Sequence, residues 1–213
     1  YIYENEINFE SPTSISFEVA KSNLIKRFKK QIESFKSKDR IDEAEVLDAY
    51  ILILEDPEIT SQFDENSEIS TEKVFEVFSS TASIFDSMED DYFKQRSEDI
   101  ISVGKHLIFA MQDKDTSTSF EENTILIAND LTPADTSSMD LNKVSGIILK
   151  EGGFTSHAVI VAKNLGIPCV IGLKESVNEV LPGTEIAIDG DSGEVILSPS
   201  EEIITDLKRK SEN

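Results

Sequence analysis

The sequence predicts an α/β fold interrupted by an inserted antiparallel helical bundle, and three observations predict it. From about residue 17 to 112, apolar residues recur at helical spacing. From residue 124 onward the signal changes to short β-like runs, with helical segments between some of them. The opening "YIYE" also reads as a strand, so strand signals stand on both sides of the helical block. That is the pattern left by a helical element inserted into an α/β domain.

After the opening strand, the helical block divides into three or four helices. Leu47, Tyr50, Ile51 and Leu54 mark one face; Val74, Phe78, Thr81, Phe85 and Met88 mark a second; Ile100, Val103, Leu107 and Met111 mark a third. Breaks fall at "EDPEIT", where Pro57 suits a first helical turn, at the polar "SQFDENSEIS", and at "SMEDDY". The polar stretch 112–123 closes the block. The β-like runs beyond it are "TILIA" (124–128), "VSGIIL" (144–149), "PCVIG" (168–172), "TEIAID" (184–189) and "EVILS" (194–198). The interleaved helices are "LTPADTSSM" and "TSHAVIVAKNL", the second starting at about Thr155 or Ser156 and stopped by Gly166. The expected division is residues 1–16 and 123–200 for the α/β domain, 17–122 for the helical insertion, and 201–213 for the start of a linker helix.

A formal charge of −22 and a pI near 4.3 argue against a nucleic-acid backbone or an anionic membrane surface as partner, since both would repel the chain. The charge is unevenly spread. Residues 21–40 hold eight Lys or Arg against two acids, whereas residues 41–122 hold five against twenty-two, a local net of −17. A partner with a basic face is therefore expected for the acidic portion. The lone Cys169 excludes an intramolecular disulfide, and no apolar run has the length of a membrane span or the layout of a signal peptide, so the expected location is cytoplasmic. The chain opens on Tyr1 and its last segment begins a helix without a stop signal, as expected of a piece of a longer protein.

The segment most suited to chemistry is "EGGFTSH", residues 151–157. Here the chain leaves the strand "GIILK", passes through Gly152 and Gly153, and enters a helix. Glycines lack the Cβ atoms that would keep a ligand from backbone N–H groups, and the first N–H groups of a helix have no internal partner. Together they favour an anion, and the helix-end field disfavours protonation of His157. Thr155 and Ser156 add hydroxyl donors. A neutral imidazole facing a phosphoryl group held by such donors suits a phosphohistidine intermediate. The local pattern alone favours a tight glycine turn with His157 as a capping or packing residue, because short glycine-hydroxyl strings are weak motifs.

A longer match separates the two. "GGFTSHAVIVAKNLGIPCVIG" (152–172) resembles the phosphohistidine motif of phosphoenolpyruvate-using enzymes: enzyme I of the bacterial sugar phosphotransferase system, pyruvate phosphate dikinase and phosphoenolpyruvate synthase. "EVLDAYILILEDPEI" (45–59) and "DDYFKQRSEDIISVGKHLI" (90–108) resemble the helical subdomain of enzyme I, and "ILIANDLTPADT" (125–136) matches the strand and turn preceding its histidine. The resemblance implies a swivelling phosphohistidine β/β/α domain with an inserted bundle that docks the phosphocarrier protein HPr. It implies that His157 is phosphorylated at Nε2 and that the Thr136 hydroxyl contacts its imidazole. It places Asp42, Leu52, Ile53, Glu58, Tyr92 and Arg96 at or near HPr-contacting positions. Phosphoenolpyruvate and Mg²⁺ are implied to bind a C-terminal barrel outside this chain, whose own residues are expected to hold no metal, and the parent enzyme is implied to be a homodimer. Phe154 stands where enzyme I usually has arginine, Leu47 and Tyr50 replace a usual phenylalanine and histidine, and His106 replaces a common arginine.

Other readings follow from the same residues. An enzyme-I-like segment of another multiphosphoryl-transfer or dihydroxyacetone-kinase donor protein would share these motifs, and a non-catalytic interaction module would use the bundle alone. "IDGDSGEVIL" reads as a hairpin turn, "MEDDY" as an acidic helix start, Cys169 as strand packing and His106 as a helix-face residue.

Overall fold

The computed structural model describes residues 1–3, 6–63, 67–88, 90–114, 120–153, 156–173, 177 and 180–211 of the 213-residue chain. Two compact units divide it. One contains Tyr1–Asn5, Thr118–Thr132 and Met139–Asn213; the other contains Glu6–Ser117 and Pro133–Ser138.

The first unit is built on a parallel sheet in the order β1 (Ile2–Tyr3), β2 (Thr124–Ala128), β3 (Val144–Leu149) and β4 (Cys169–Ile171). Each strand lies within an expected run, and β2 and β3 match theirs to the residue. Alternation across the strands gives the sheet two apolar faces, because successive side chains point opposite ways. Leu126, Ala128, Ile147 and Leu149 pack with Ala158, Val161 and Ala162 of the helix that follows β3. Ile125, Ile127 and Ile148 pack instead with Ile186, Ile188 and Val195, from the antiparallel hairpin β5 (Ile186–Asp189) and β6 (Glu194–Leu197). The layers are therefore hairpin, sheet and helix, a β/β/α arrangement. Gly146 permits the hairpin to approach β3: a Cβ there would collide with Ile188 Cδ1. The "IDGDSGEVIL" turn is closed by Asp189, whose carboxylate accepts from the backbone N–H groups of Asp191 and Ser192.

The second unit is helical. Four long helices, α1 (Phe17–Ser37), α2 (Ile41–Glu55), α4 (Thr71–Asp86) and α5 (Asp91–Met111), accompany the single turn α3 (Pro57–Thr60). Three of these helices start on a side-chain cap. Asp56 accepts from Glu58 N ahead of Pro57, Ser70 Oγ accepts from Lys73 N, and Asp90 accepts from Tyr92 N. The acidic "MEDDY" stretch thus supplies a helix cap. Phe17, Ala20, Leu24, Phe28, Ile32 and Phe35 form the buried stripe of α1. Leu47, Tyr50, Ile51 and Leu54 are buried as the spacing requires, but Met88 is exposed because α4 ends at Asp86.

Residues 6–16, which the sequence reading places with the α/β domain, and the short helix α6 (Pro133–Ser137) both group with the helical unit. Ala134 of α6 is buried in the helical core. His106, on a face of α5, is buried there too, with Nε2 3.4 Å from Asp135 Oδ1 and the rings of Phe28 and Phe109 set edge-on to the imidazole. Burial pushes the imidazole down to about 4 despite the neighbouring Asp135. Burial likewise pushes the Asp99 carboxyl up to about 6, against the opposing pull of Arg96.

Two predictions follow from this core. A Cβ at Gly104 would sit 2.7 Å from Phe78 Cβ and 2.8 Å from its Cγ, atoms too close to the α4 backbone to swing aside. Gly104→Ala gains about 1 kcal/mol of helix propensity, but overpacking costs about 1–3 kcal/mol, so the urea midpoint should fall; a midpoint at or above that of the wild type would mean that α4 and α5 separate at little cost. The second concerns acid. His106 has a folded value of about 4 against an ordinary 6.5, so as pH falls through that window the unfolded chain takes up a proton that the folded chain refuses, and stability is lost. Asp99 has the opposite sign between about 6 and 3.8, where the folded chain binds the extra proton. Comparing urea unfolding at about pH 7.5 and about pH 4.5, His106→Gln should reduce the acid loss and Asp99→Asn should enlarge it. Equal acid losses in all three proteins would contradict both assignments.

Candidate functional site

β3 ends by continuing its pairing with β2, Lys150 N donating to Ala128 O and Glu151 N to Asn129 O. The chain then turns at Gly152, whose φ of +107° is a conformation that side-chain-bearing residues rarely adopt. A Cβ there would meet Leu149 Cδ1, Ser156 Oγ and Asp130 Oδ1 only at ordinary contact distances of 3.7–3.8 Å, so the backbone conformation, not crowding, calls for glycine. At Gly153 a Cβ would meet nothing within 4 Å. Ser156 N donates to Gly153 O at 3.0 Å, and α7 (His157–Leu165) begins.

The expected helix start moves slightly. Ser156 is the N-cap residue, in extended conformation and without a side-chain capping bond, and His157 is the first helical residue. The imidazole is partly exposed. The end of α7 fits expectation: Gly166 has φ +67°, and Gly166 N and Ile167 N donate to Lys163 O and Ala162 O. Ala158, Val161 and Ala162 bury one face of α7 against the sheet, whereas Ile160 is 51 % exposed. This packing fixes the helix, and so the place of His157 beyond the C-terminal end of β3. Ser156 Oγ is buried and has no hydrogen-bond partner among the described residues. Thr155 and Phe154 lie outside the described residues.

One nearby group escaped the sequence reading. Asp130, in the loop after β2, has its carboxylate beside Gly152 and accepts from Leu131 N at 2.8 Å. Its signal was present as the "ND" pair directly after the strand "TILIA", at the edge where ligands bind in parallel sheets.

Thr136 lies in α6, in the helical unit, and is 2 % exposed. Its hydroxyl donates to Pro133 O at 3.2 Å. On the helical unit, Leu52 at 66 % and Tyr92 at 71 % are strongly exposed. Asp42 and Glu58 are also exposed and Arg96 partly so. Ile53 departs from expectation. It is 1 % exposed and belongs to the helical core, because it points inward beside Leu54 while Leu52 points out. It can support a docking face from beneath but not form one.

Among the described residues no group of three or more His, Cys, Asp or Glu is arranged to hold a metal ion, and no helix is long and apolar enough to cross a membrane. Burial raises the Cys169 thiol to about 11, which keeps it in the unreactive protonated form.

Comparison with known proteins matches both halves of this architecture. Residues 12–96 match the family described as "PEP-utilising enzyme, N-terminal", and residues 120–193 match "PEP-utilising enzyme, mobile domain". The chain is 32 % identical to the phosphoenolpyruvate-protein phosphotransferase of Staphylococcus carnosus, over 100 % of this chain and 39 % of that protein. It is 31 % identical to the protein of the same name from Priestia megaterium, over 98 % of this chain and 38 % of that one. The chain thus spans about two-fifths of the length of these relatives. Among solved structures, the solution structure of Enzyme I (nEIt) superimposes with a TM-score of 0.74 at 31 % identity, covering 92 % of this chain and 82 % of that one. The N-terminal domain of Enzyme 1 - Nitrogen shares the fold, with a TM-score of 0.58 at 23 % identity. With two family matches in the order the fold requires and a solved relative matched over most of its length, the chain belongs to the enzyme I family of phosphoenolpyruvate-protein phosphotransferases, as its N-terminal region.

Proposed function

We propose that this chain carries a phosphoryl group on His157 Nε2, taking it from phosphoenolpyruvate and giving it to a histidine of HPr in sugar uptake. The observation that carries this reading is the position of His157: first residue of α7, partly exposed, directly beyond the Gly152 turn at the C-terminal edge of a parallel sheet. In the first half-reaction the Nε2 lone pair attacks phosphorus, the P–O bond to enolpyruvate breaks, and the enolate leaves to become pyruvate. In the second, a ring nitrogen of HPr attacks the same phosphorus and the P–N bond to His157 breaks. The nucleophile must be a neutral imidazole with its proton on Nδ1. Ser156 Oγ, buried without a partner among the described residues, and the first-turn N–H groups of α7 are donors suited to the phosphoryl oxygens. Gly152 and Gly153 form the turn beside them, and Thr155 is a further candidate hydroxyl donor by sequence.

Thr136 sets the tautomer. Its hydroxyl proton is committed to Pro133 O, so Oγ1 meets the imidazole as an acceptor, which selects Nδ1–H and leaves the Nε2 lone pair for phosphorus.

HPr docks on the helical unit through Leu52 and Tyr92, rimmed by Asp42, Glu58 and Arg96. The acidic surplus of residues 41–122 steers a basic partner toward that face. Phosphoenolpyruvate and Mg²⁺ bind a C-terminal barrel of the longer enzyme, a cytoplasmic homodimer, and one histidine serves both sites by swivelling.

Phosphorylated HPr should therefore transfer one acid-labile, base-stable phosphoryl group to the chain, and His157→Ala should abolish it. Phosphoenolpyruvate alone should leave the chain unlabelled. Label retained by the variant, or found on His106 or Ser156, would overturn the assignment. Thr136→Val should slow transfer about 5- to 30-fold, as expected from one net hydrogen bond of about 1–2 kcal/mol; complete loss in a folded variant would make Thr136 more than an orienting group. For docking, Asp42→Lys combined with Glu58→Lys should slow association with HPr and flatten its salt dependence in stopped-flow transfer. An unchanged rate and salt slope would place the HPr surface elsewhere.

A further inference from the structure

The two histidines of this chain occupy opposite environments, and the buried one has no part in the reaction as derived above. His106 is 2 % exposed within the helical unit, and its imidazole is confined by the Phe28 and Phe109 rings, each centred 6.2 Å away and set edge-on. At physiological pH the ring is neutral and has a single N–H to place. Nε2 lies 3.4 Å from Asp135 Oδ1, whereas Nδ1 is buried with no partner among the described residues, which assigns the proton to Nε2 as donor to Asp135. Leaving Nδ1 buried without a partner is unfavourable, and a leucine would avoid it.

The receiving element is α6, the five-residue helix that carries Thr136. So short a helix cannot hold its own shape in isolation. Three hydroxyls tie it locally: Thr136 Oγ1 to Pro133 O, Ser137 Oγ to Ala134 O and Ser138 Oγ to Asp135 O. These bonds fix the turn but not its direction. Direction comes from Ala134 in the helical core and from Asp135, which is 2 % exposed and immediately precedes Thr136.

We propose that His106 is a positioning residue for phosphotransfer, fixing α6 through Nε2–H to Asp135 and thereby aiming the Thr136 hydroxyl. This rests on the reading of Thr136 as the group that orients His157. Gln places its amide nitrogen where Nε2 of histidine lies, whereas Leu fills the space without a donor, so the pair separates donation from packing.

Transfer from phosphorylated HPr to this chain is measured for His106→Leu and His106→Gln, each alone and combined with Thr136→Val, with folding checked by circular dichroism and urea midpoints. His106→Leu should slow transfer about 5- to 20-fold, no more than the loss of the Thr136 hydrogen bond through which it acts, and His106→Gln should lie within about 2-fold of wild type. In the Thr136→Val background, His106→Leu should add nothing. A Leu variant as fast as wild type beside a slowed Thr136→Val overturns this proposal alone, and so does a Gln variant as slow as Leu or a full Leu penalty retained in the Thr136→Val background. A silent Thr136→Val overturns the underlying reading and this one together. Should His106→Leu fail to fold, Asp135→Asn, which keeps shape and an acceptor oxygen but loses the charge, should slow transfer about 2- to 4-fold. Its ring ¹⁵N spectrum should show His157 shifting from one tautomer to a mixture. An unaltered rate and spectrum in that variant would also overturn the proposal.

Discussion

The parallel pairing of Ile2 with Ile127 and of Tyr3 with Ala128 constrains everything else in this chain. Parallel neighbours cannot be joined by a tight turn, so the chain must travel back before pairing again. Here the return path holds the four long helices of the second unit, with an apolar core of their own. Parallelism also brings the C-terminal ends of β2 and β3 to one edge, where ligands gather in open sheets of this kind. The loop after β2 leads to Asp130 and then to α6; the turn after β3 leads to Gly152 and then to His157. Strand direction therefore determines which residues are available for chemistry.

The strands were legible because a strand covered on both faces must be apolar almost throughout, and "TILIA" and "VSGIIL" leave no other reading of that length. The short strand β4 was expected from Pro168 to Gly172, but Pro has no N–H for the ladder and Gly172 takes φ +79°, so pairing is confined to Cys169–Ile171. The helix starts were legible wherever a side chain caps them, as at Asp56, Ser70 and Asp90. At His157 there is no such bond, and the expected start falls one or two residues early. Partners distant in sequence were not legible. Periodicity marks the buried face of α5 through Ile100, Val103, Leu107 and Met111, yet nothing local to His106 says that Asp135, twenty-nine positions on, will meet it. Ile53 fails for a related reason: in "YILILE" every residue is apolar except the last, and only the packing of α2 decides that Leu52 turns out and Ile53 in.

Charge follows a different logic from shape. The basic end of α1 lies against the acidic α2, with Lys36 3.4 Å from Asp48, and Arg40 at the start of α2 reaches Glu43 at 2.7 Å. The exposed Lys36–Asp48 pair adds little stability, at most about 1 kcal/mol. The larger consequence of the two pairs is that Asp48 and Glu43 are locally compensated, whereas Asp42 and Glu45 stay exposed on the same helix as Leu52. An apolar residue flanked by uncompensated acids suits a docking surface that attracts over distance and binds on contact, since the field acts across a Debye length and burial only at touch.

The two histidines show how completely the surroundings decide what an imidazole does. His157 stands at a helix N-terminus, partly open to solvent, where backbone donors converge and an incoming anion can be met. His106 is sealed between Phe28 and Phe109, unable to take a proton until the medium reaches about pH 4, and restricted to one N–H aimed at Asp135. An arginine at that place would present a charged fork and could hold a carboxylate by two bonds. A neutral histidine offers only a single bond, so more of the task of holding α6 passes to Ala134 in the core and to the three hydroxyls that bond back to Pro133, Ala134 and Asp135. The run "PADTSS" thus reads as one device: an apolar anchor, an acid that meets its partner across the core, and hydroxyls that stiffen the turn on which the threonine is mounted.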